Sequence, residues 1–279
     1  MPFDKLGLGT VQFGTDYGIS NSSGQVSKAE VSNILNYCRQ NDINILDTAS
    51  GYGNAEQVLG EFDLLDFKVI SKFLPNSSNL EFDRQLENTL ENLGLPQIYG
   101  YLAHRPERLI DNRWEWEALK NAKEEKKVEK IGFSLNSPKE LDRLLQLNLI
   151  PDLVQVPYNY LDRRFEGHLK DLKKEQIEIH TRSVFLQGLF FTDFDKLSNH
   201  FNSAIPFLKS LKKSPKLSGQ LLNFVLSKDF IDKVIIGTQS LTQLQTNFEQ
   251  VVNLKGESLP QPPSLSDSIL MPMFWPSNK

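Results

Sequence analysis

Short apolar runs alternate along this chain with longer stretches in which apolar residues recur at helical spacing. Most of the short runs are apolar on both faces, which is typical of parallel strands that are covered by helices. The predicted strands are 6–11, 43–46, 67–71, 98–103, 130–134, 153–156, 177–183 and 233–236.

The stretches between these runs carry helix start signals. Ser27 and Glu30 have the spacing of a capping box, in which the serine accepts a backbone N–H bond and the glutamate reaches back. Ser137 and Glu140 repeat this spacing, with Pro138 at the first helical position, where its missing N–H does no harm. Further helices are predicted near 55–62, 80–93, 112–127, 160–174, 215–227 and 241–253.

Eight strand–helix pairs in this length predict an α/β fold, a closed (β/α)8 TIM barrel that forms a single domain over 1–279. The rival fold is an open doubly wound sheet, which binds dinucleotides through G-x-G-x-x-G after its first strand. The chain reads "GLGTVQFG" over 7–14, and its third glycine comes too late for that turn. The sequence therefore favours the barrel.

Two segments depart from the barrel repeat. The segment 190–213 is longer than a usual connection, which predicts an extra helix or an active-site flap. The tail from about 254 is rich in proline and serine and ends "LMPMFWPSNK". We expect this tail to be irregular and to pack across the barrel.

Charge and composition exclude several classes of protein. The net charge of −4 argues against nucleic-acid binding, which needs a concentrated basic face. Cys38 is the single cysteine, so no intrachain disulfide can form, as expected in a reducing compartment. The start of the chain lacks a secretory pattern, and no apolar run has the length of a membrane helix. These features predict a soluble cytoplasmic protein that binds neither nucleic acid nor membranes.

Four ionisable side chains of different type follow consecutive predicted strands. Asp47 follows the second strand, with Tyr52 in the loop after it; Lys72 follows the third strand, and His104 follows the fourth. In a barrel the carboxyl ends of the strands surround one shared cavity, so we expect these groups to converge.

The four types complement one another chemically. A lysine cation beside a tyrosine favours the phenolate, and a carboxylate offsets the cost of burying the ammonium. A histidine next to them can hydrogen-bond a substrate oxygen. Together they suit the protonation of an oxygen while its carbon accepts a hydride.

At this point the chain resembles the aldo-keto reductase family over about residues 5–253. The matching motifs follow the strands in order: Gly9-Thr10, "LDTASGYGNAE" (46–56), Lys72, "LAHRP" (102–106), "IGFSLNS" (131–137), "VQVPYN" (154–159) and "GTQSLTQLQTNF" (237–248).

The resemblance implies a catalytic tetrad in which Tyr52 is the general acid/base and Lys72 tunes it. Asp47 would pair with Lys72, and His104 would orient the carbonyl and stabilise developing negative charge. A nicotinamide cofactor would bind in extended form across the barrel top and deliver hydride to a carbonyl carbon. The implied substrates are aldehydes, ketones or sugars.

The resemblance also implies cofactor contacts. Ser134 and Gln155 match residues that hold the carboxamide, but Leu135 stands where the family has an asparagine. Arg182 stands near the usual stacking aromatic, and a planar guanidinium can also stack. The implied cofactor-binding residues are Gly9, Thr10, Ser134, Gln155, Arg182, Ser183, Gln187, Gly188, Gly237, Thr238, Gln239, Gln243 and Asn247.

The family favours NADP(H), and NAD(H) is the other cofactor that fits the sequence. The last predicted helix begins after Thr238 and Ser240, where backbone N–H groups and hydroxyls can bind phosphate. No cation lies between Lys233 and Lys255, so the residues do not support tight discrimination. Four scattered histidines do not predict a metal site.

Substrate identity, physiological direction and oligomeric state are left open by the sequence. Phe13, Tyr17, Tyr158 and Asn159 are expected to line the substrate pocket, with Phe274 and Trp275 nearby; ordinary packing is the rival interpretation of the aromatics. A weakly catalytic nicotinamide-binding partner or redox-sensing module on the same fold is the alternative function. A barrel isomerase or lyase is a third.

Overall fold

A computed structural model describes residues 2–19, 21, 24–254 and 259–276. Within these residues, eight parallel strands close into a barrel in sequence order. The strands are β1 (Leu6–Gly9), β2 (Ile45–Asp47), β3 (Lys68–Phe73), β4 (Ile98–Ala103), β5 (Val128–Ser134), β6 (Leu153–Pro157), β7 (Glu178–Arg182) and β8 (Lys233–Gly237).

The ring is closed by β1, which pairs with β2 on one side and with β8 on the other. Leu8 is opposite Leu46 in the first pair and opposite Ile236 in the second. The predicted strands agree with the observed ones within two residues at each end, and the (β/α)8 barrel is confirmed. Because the strands are parallel, their carboxyl ends lie at one mouth of the barrel.

The helices surround the barrel. They are α1 (Val11–Gly14), α2 (Lys28–Gln40), α3 (Ala55–Gly60), α4 (Asn79–Leu93), α5 (Arg108–Asp111), α6 (Trp114–Glu124), α7 (Pro138–Gln146), α8 (Glu166–Lys174), α9 (Ile205–Leu211), α10 (Leu217–Leu226), α11 (Leu241–Val252) and α12 (Asp267–Leu270). None of the helices in the described part of the chain has the length and apolarity needed to cross a membrane.

The two predicted capping boxes have different outcomes. At α7 both halves form, because Ser137 accepts from the Glu140 N–H and Glu140 accepts from the Ser137 N–H. At α2 only Ser27 acts as predicted, accepting from the Glu30 N–H at 3.4 Å. The Glu30 carboxylate instead accepts from the Leu241 N–H at 2.6 Å, so it caps α11 rather than its own helix.

Apolar side chains form cores on both sides of the strands. Inside the barrel, Ile45, Ile70, Leu102, Leu153 and Ile235 pack together. A much larger core lies between the strands and the outer helices. Burial of these side chains supplies the main stabilisation of the barrel.

A third core explains the long connection after β7. Three short 3-10 turns (Leu186–Gly188, Phe194–Lys196 and Asn199–Phe201) lead into α9, which confirms the extra helix. Their apolar residues pack with Ile269 and Leu270 of the tail. The tail is mostly irregular as predicted, apart from α12 and a turn at Pro272–Phe274; its residues 255–258 and 277–279 lie outside the described residues.

Candidate active site

Asp47, Lys72 and Tyr52 meet at the barrel mouth. Asp47 is the last residue of β2, and Lys72 lies near the end of the neighbouring β3. The Lys72 Nζ donates to both Asp47 carboxylate oxygens at 2.8 Å and to the Thr48 carbonyl at 2.8 Å. Its distance to the Tyr52 hydroxyl is 3.4 Å. The sequence prediction that these groups converge is therefore confirmed by the geometry.

Lys72 is a buried cation. Its side chain has no solvent exposure, and burial alone would lower the pKa of its ammonium. The Asp47 carboxylate and the Tyr52 hydroxyl act in the opposite direction and raise the pKa of Lys72 above its ordinary value. The ammonium therefore stays charged at neutral pH and presents a fixed positive charge to Tyr52.

The loop that carries Tyr52 is held by a close approach to the loop after β1. Gly53 has φ +58°, and a Cβ there would lie 2.4 Å from the Gly14 carbonyl oxygen. A Cβ on Gly14 would lie 1.9 Å from the Tyr52 carbonyl oxygen. These two glycines let the loops interlock and fix Tyr52, whereas Gly51 has a negative φ and room for a Cβ.

His104 lies directly after β4 and is the fourth member of the cluster. Its ring meets the Tyr52 ring edge-on, with the centroids 5.7 Å apart and an interplanar angle of 83°. Burial lowers the pKa of His104 to about 3, and the nearby charges of Lys72, Arg182 and Arg105 act in the same direction. The imidazole is therefore neutral at physiological pH and has one N–H to donate.

Asp47 has a further partner from the opposite wall of the barrel. The Gln155 amide of β6 donates from Nε2 to Asp47 Oδ1 at 2.6 Å, and both side chains are buried. The Gln155 Oε1 is buried and has no hydrogen-bond partner within the described residues. Gln155 thus contacts the tetrad directly in this structure, a contact that the sequence did not predict.

A cavity of about 640 Å³ opens above the tetrad. Asp47, Tyr52 and His104 line it, while Lys72 lies behind them. Tyr17 also lines the cavity. The predicted cofactor residues that line the cavity are Gly9, Thr10, Arg182, Ser183, Gln187, Gly188, Gly237, Gln239 and Gln243.

Other predicted cofactor residues lie outside the cavity lining. Ser134 and Gln155 are buried inside the barrel mouth. Thr238 is also buried. Its hydroxyl donates to the Ser240 carbonyl, so the hydroxyl proton is already used within the turn before α11. Asn247 is buried on the second turn of α11.

Three expectations for the substrate pocket are corrected. Tyr158 is fully buried in the outer core, where its hydroxyl donates to Glu166 and its ring stacks on Phe224. Phe13 lies in α1 and is fully buried in the core between the strands and the outer helices. Asn159 is buried and shapes its own turn, because its Oδ1 accepts two backbone N–H groups and its Nδ2 donates to the Ser183 carbonyl.

Several cavity residues were not predicted. Arg105 and Asn136 lie inside the LAHRP and IGFSLNS motifs, and Gln12 is two residues after Thr10, so position in the strand-end loops was an available signal. The segment Leu270–Met273 and Phe191 offered no such signal, because they come from the accessory segments that pack over the mouth. Phe274 and Trp275 are not among the lining residues.

Arg182 is fixed in the cavity wall. Its Nη2 donates to the Leu135 carbonyl at 2.9 Å and to Asn136 Oδ1 at 2.8 Å. The Asn136 side chain therefore supplies an amide to this wall. The preceding residue, Leu135, contributes only its backbone carbonyl to this contact, and its side chain is fully buried. Arg182 and the neighbouring Ser183 both line the cavity.

The loop after β7 adopts an unusual backbone. Ser183, Leu186 and Gln187 have positive φ values of 65°, 46° and 52°, which cost energy in residues other than glycine. Gln187 is also hydrogen-bonded to the loop after β1. Its Nε2 donates to the Tyr17 hydroxyl at 2.7 Å, and its carbonyl accepts from the Ile19 N–H. The two loops thereby bridge one edge of the cavity.

The start of α11 is compact and carries a negative charge. Ser240 caps the helix by accepting from the Gln243 N–H, and the Gln243 Oε1 accepts from the Gln239 N–H and lies 3.0 Å from the Thr238 hydroxyl. The Glu30 carboxylate occupies the Leu241 N–H. An anionic ligand at this helix start would therefore meet a carboxylate.

The family assignment rests on most of the chain. The sequence profile of the aldo/keto reductase family matches residues 5–261. This chain belongs to the aldo/keto reductase family. Like the family, it is an NAD(P)H-dependent oxidoreductase that acts on carbonyl compounds.

Solved aldo-keto reductases share the fold. The holo form of an aldo-keto reductase from Bacillus halodurans is similar with a TM-score of 0.73 and 22% identity, covering 91% of this chain and 88% of that chain. The apo form of that enzyme has a TM-score of 0.71 and 22% identity, covering 91% of this chain and 87% of that chain. A candidate aldo-keto reductase from Pseudomonas aeruginosa has a TM-score of 0.67 and 21% identity, with 88% of each chain covered. The search of the curated proteins finds no match.

The cavity of this aldo/keto reductase fits a dinucleotide with an amide head. Its lining runs from the β1 loop past the tetrad to the β7 and β8 loops. Two lining residues, Gln12 and His104, each have a buried side-chain atom (Oε1 and Nδ1) with no partner in the described part of the chain. Such atoms are available to hydroxyl and amide groups of a ligand.

Proposed function

We propose that Tyr52 is the general acid/base of a reaction that transfers hydride between a nicotinamide and an aldehyde, ketone or sugar carbonyl. The observation that carries this proposal is the Tyr52 hydroxyl, which lines an open cavity while the buried Lys72 ammonium lies 3.4 Å behind it. A phenol backed by a cation is an effective proton donor, because the phenolate that remains is stabilised.

The proton and electron balance of the reduction is simple. A reduced nicotinamide, when bound, would supply the hydride that the carbonyl carbon accepts. Tyr52 donates its proton to the carbonyl oxygen, and the carbonyl becomes an alcohol. The phenolate of Tyr52 then faces Lys72 Nζ, whose positive charge is held in place by the two Asp47 contacts at 2.8 Å. Reprotonation of Tyr52 from solvent completes the cycle.

His104 orients the substrate oxygen in this scheme. Its low pKa keeps the imidazole neutral, so it donates one N–H without competing with Tyr52 for the role of acid. The Tyr52 and His104 rings are in edge-on contact, and both residues line the cavity, so a substrate oxygen bound there would accept from both. Two fixed donors stabilise negative charge that develops on the oxygen.

We place the cofactor along the cavity lining from β1 to β8. Arg182 would lie against the nicotinamide, Gln187 and Gly188 beside the pyrophosphate, and Gly237, Gln239 and Gln243 beside the adenosine end. The remaining expected contacts, Ser134, Gln155, Thr238 and Asn247, would need small rearrangements to reach a cofactor.

NADP(H) is the favoured cofactor on family grounds, and we propose weak discrimination against NAD(H). Cations are absent from the described part of the loop after β8 and from α11, residues 237–252. The Glu30 carboxylate at the Leu241 N–H also disfavours a 2′-phosphate there. A cytoplasmic location remains an expectation drawn from the single cysteine.

The decisive test is Tyr52→Phe, with Tyr37→Phe as the matched control on the outer side of the barrel. We expect Tyr52→Phe to abolish turnover of a carbonyl panel while cofactor binding, followed by NADPH fluorescence, stays nearly unchanged. Tyr37→Phe should keep both properties. Full turnover in Tyr52→Phe would remove Tyr52 from the acid/base role.

A second candidate is a weakly catalytic nicotinamide-binding module on the same fold. The observation that favours it is that Leu135 stands where the family has an asparagine and Arg182 stands near the position of its stacking aromatic. Single-turnover oxidation of bound NADPH by the carbonyl panel separates the two candidates. Rapid oxidation supports the reductase, and tight binding without oxidation supports the module.

A further inference from the structure

The cavity carries an excess of positive charge. Arg105, Arg164 and Arg182 all line it, whereas Asp47 is the one acidic lining residue in the described part of the chain. Both Asp47 oxygens are already bonded to Lys72, and one also accepts from Gln155. Among the lining residues, therefore, no carboxylate is left to offset the arginines.

The three arginines are not equivalent. Arg164 is neutralised by a bidentate pair with Asp162, with both distances 2.9 Å, and lies 3.4 Å from the Asp267 carboxylate. Arg182 is fixed by neutral groups in the wall. The Arg105 guanidinium is exposed and makes no hydrogen bond or ion pair with the residues that the structure describes. Arg105 is thus the lining cation that is free to take a ligand.

Arg105 also lies on the side of the cavity away from the proposed cofactor phosphates. It follows His104 in the loop after β4, and β4 is four strands from β8 in either direction around the barrel. The proposed phosphate contacts come from the loops after β7 and β8. An anion at Arg105 would therefore belong to the substrate, beyond the carbonyl oxygen held by Tyr52 and His104.

We infer that this enzyme selects aldehydes and ketones that carry a carboxylate or a phosphate, with Arg105 as the residue that anchors the anionic group. The inference rests on the proposed function and narrows its substrate class. The planar guanidinium of Arg105 can bind either anion through two parallel N–H···O bonds. The uncompensated charge of Arg182 adds to the field that attracts such substrates.

The anchoring contact has a defined kinetic signature. It lies away from the reacting carbon, so it stabilises the ground state and the transition state alike and acts on KM rather than on kcat. Because Arg105 is exposed, the preference should be moderate, about tenfold in kcat/KM. It should also weaken at high ionic strength, since exposed charges are screened.

The test compares substrates that differ only in charge. Para- and meta-formylbenzoate are measured against their methyl esters, and glyceraldehyde phosphate against glyceraldehyde, so that the carboxylate and phosphate arms are separate. The ester group withdraws electrons more strongly than the carboxylate, so intrinsic reactivity favours the esters. A preference for the acids would therefore report recognition by the protein.

The variants are Arg105→Gln and the control Arg108→Gln, the next arginine along the chain, which is not among the cavity-lining residues. We expect the wild type and Arg108→Gln to prefer at least one anionic substrate by about tenfold. Arg105→Gln should lose that preference through KM while its kcat for the neutral partners and its KM for the cofactor stay unchanged.

Two results would overturn the inference while the reductase function stands. One is equal kcat/KM for every charged and neutral pair in the wild type. The other is an anion preference that survives in Arg105→Gln, or a loss confined to cofactor KM. If the wild type oxidises bound NADPH with none of these compounds, the proposed function fails, and the inference fails with it.

Discussion

The Gln155 amide donates a 2.6 Å hydrogen bond to Asp47 across the barrel mouth. The two residues come from β2 and β6, which are opposite one another in the ring of eight strands. Lys72 binds the same carboxylate from the neighbouring strand, so Asp47 is held from two sides. The bond to Gln155 links the lysine that supports Tyr52 to the far wall of the barrel.

Replacing Gln155 with methionine should lower turnover more than it lowers cofactor affinity. The variant removes a charge-assisted bond to Asp47, which then holds Lys72 less firmly behind Tyr52. We expect kcat to fall about tenfold, corresponding to about 1.4 kcal/mol, with cofactor KM within about twofold of wild type. Steady-state kinetics measure both. A large rise in cofactor KM with unchanged kcat would instead assign Gln155 to the carboxamide.

Replacing Lys72 with methionine should destabilise the fold strongly. The variant leaves the Asp47 carboxylate buried without a cation, which costs about 3 to 5 kcal/mol in comparable pairs. The double variant Asp47→Leu/Lys72→Met removes both charges and should recover much of that loss, although it stays inactive. Urea unfolding of the two single variants and the double variant measures the coupling. Additive losses in the double variant would contradict a tightly coupled buried pair.

The neutral His104 predicts a specific dependence of stability on pH. The folded pKa of about 3 lies below the ordinary value of 6.5, so between these pH values the unfolded chain binds a proton that the native protein does not. The stability contribution is therefore complete above pH 6.5 and is lost as the pH falls, by up to about 1.4 kcal/mol per pH unit.

The control for this effect is His104→Asn, which removes the titrating group and keeps a hydrogen-bond donor. The free energy of unfolding is measured with urea at pH 5, inside the window between the two pKa values, and at pH 7, above it. Its change between these two pH values should be smaller in the variant than in the wild type. The same neutral imidazole predicts that kcat of the wild type has no inflection near pH 6.5. An equal pH slope in both proteins would show that His104 titrates normally in the folded state.

Replacing Glu30 with glutamine should improve the use of NADPH relative to NADH. Glutamine can keep the hydrogen bond to the Leu241 N–H, but it removes the negative charge from the start of α11. We expect the ratio of KM for NADPH to KM for NADH to fall about two- to fivefold. Glu249→Gln removes the same charge near the other end of α11 and serves as the control. An equal change in both variants would indicate a general charge effect.

The grouping of Asp47, Lys72 and His104 could be read from the sequence because barrel geometry needs only strand order and strand ends. Once the eight apolar runs are taken as parallel strands, residues just past consecutive strands must meet at one mouth. The strand boundaries were accurate because the runs are bounded by clear polar residues. These are local patterns, and local patterns are what a sequence displays directly.

Side-chain direction beyond a strand end was harder to predict. Tyr158 follows β6 by one residue, yet its ring turns outward to Phe224 instead of toward the cavity. The alternation of a strand stops at its last residue, and the next direction depends on the backbone of the turn. Asn159 was misplaced for the same reason, because the turn uses its amide for three hydrogen bonds.

The sequence by itself determined the barrel, the order of its strands and the four groups that meet at its mouth, because hydrophobic period and strand order suffice for these. The tertiary structure alone decided how the groups are supported. Gln155 reaches Asp47, Glu30 reaches α11, and Tyr17 reaches Gln187. Each contact joins residues more than a hundred positions apart, and its formation depends on the packing of both elements, which no local pattern contains.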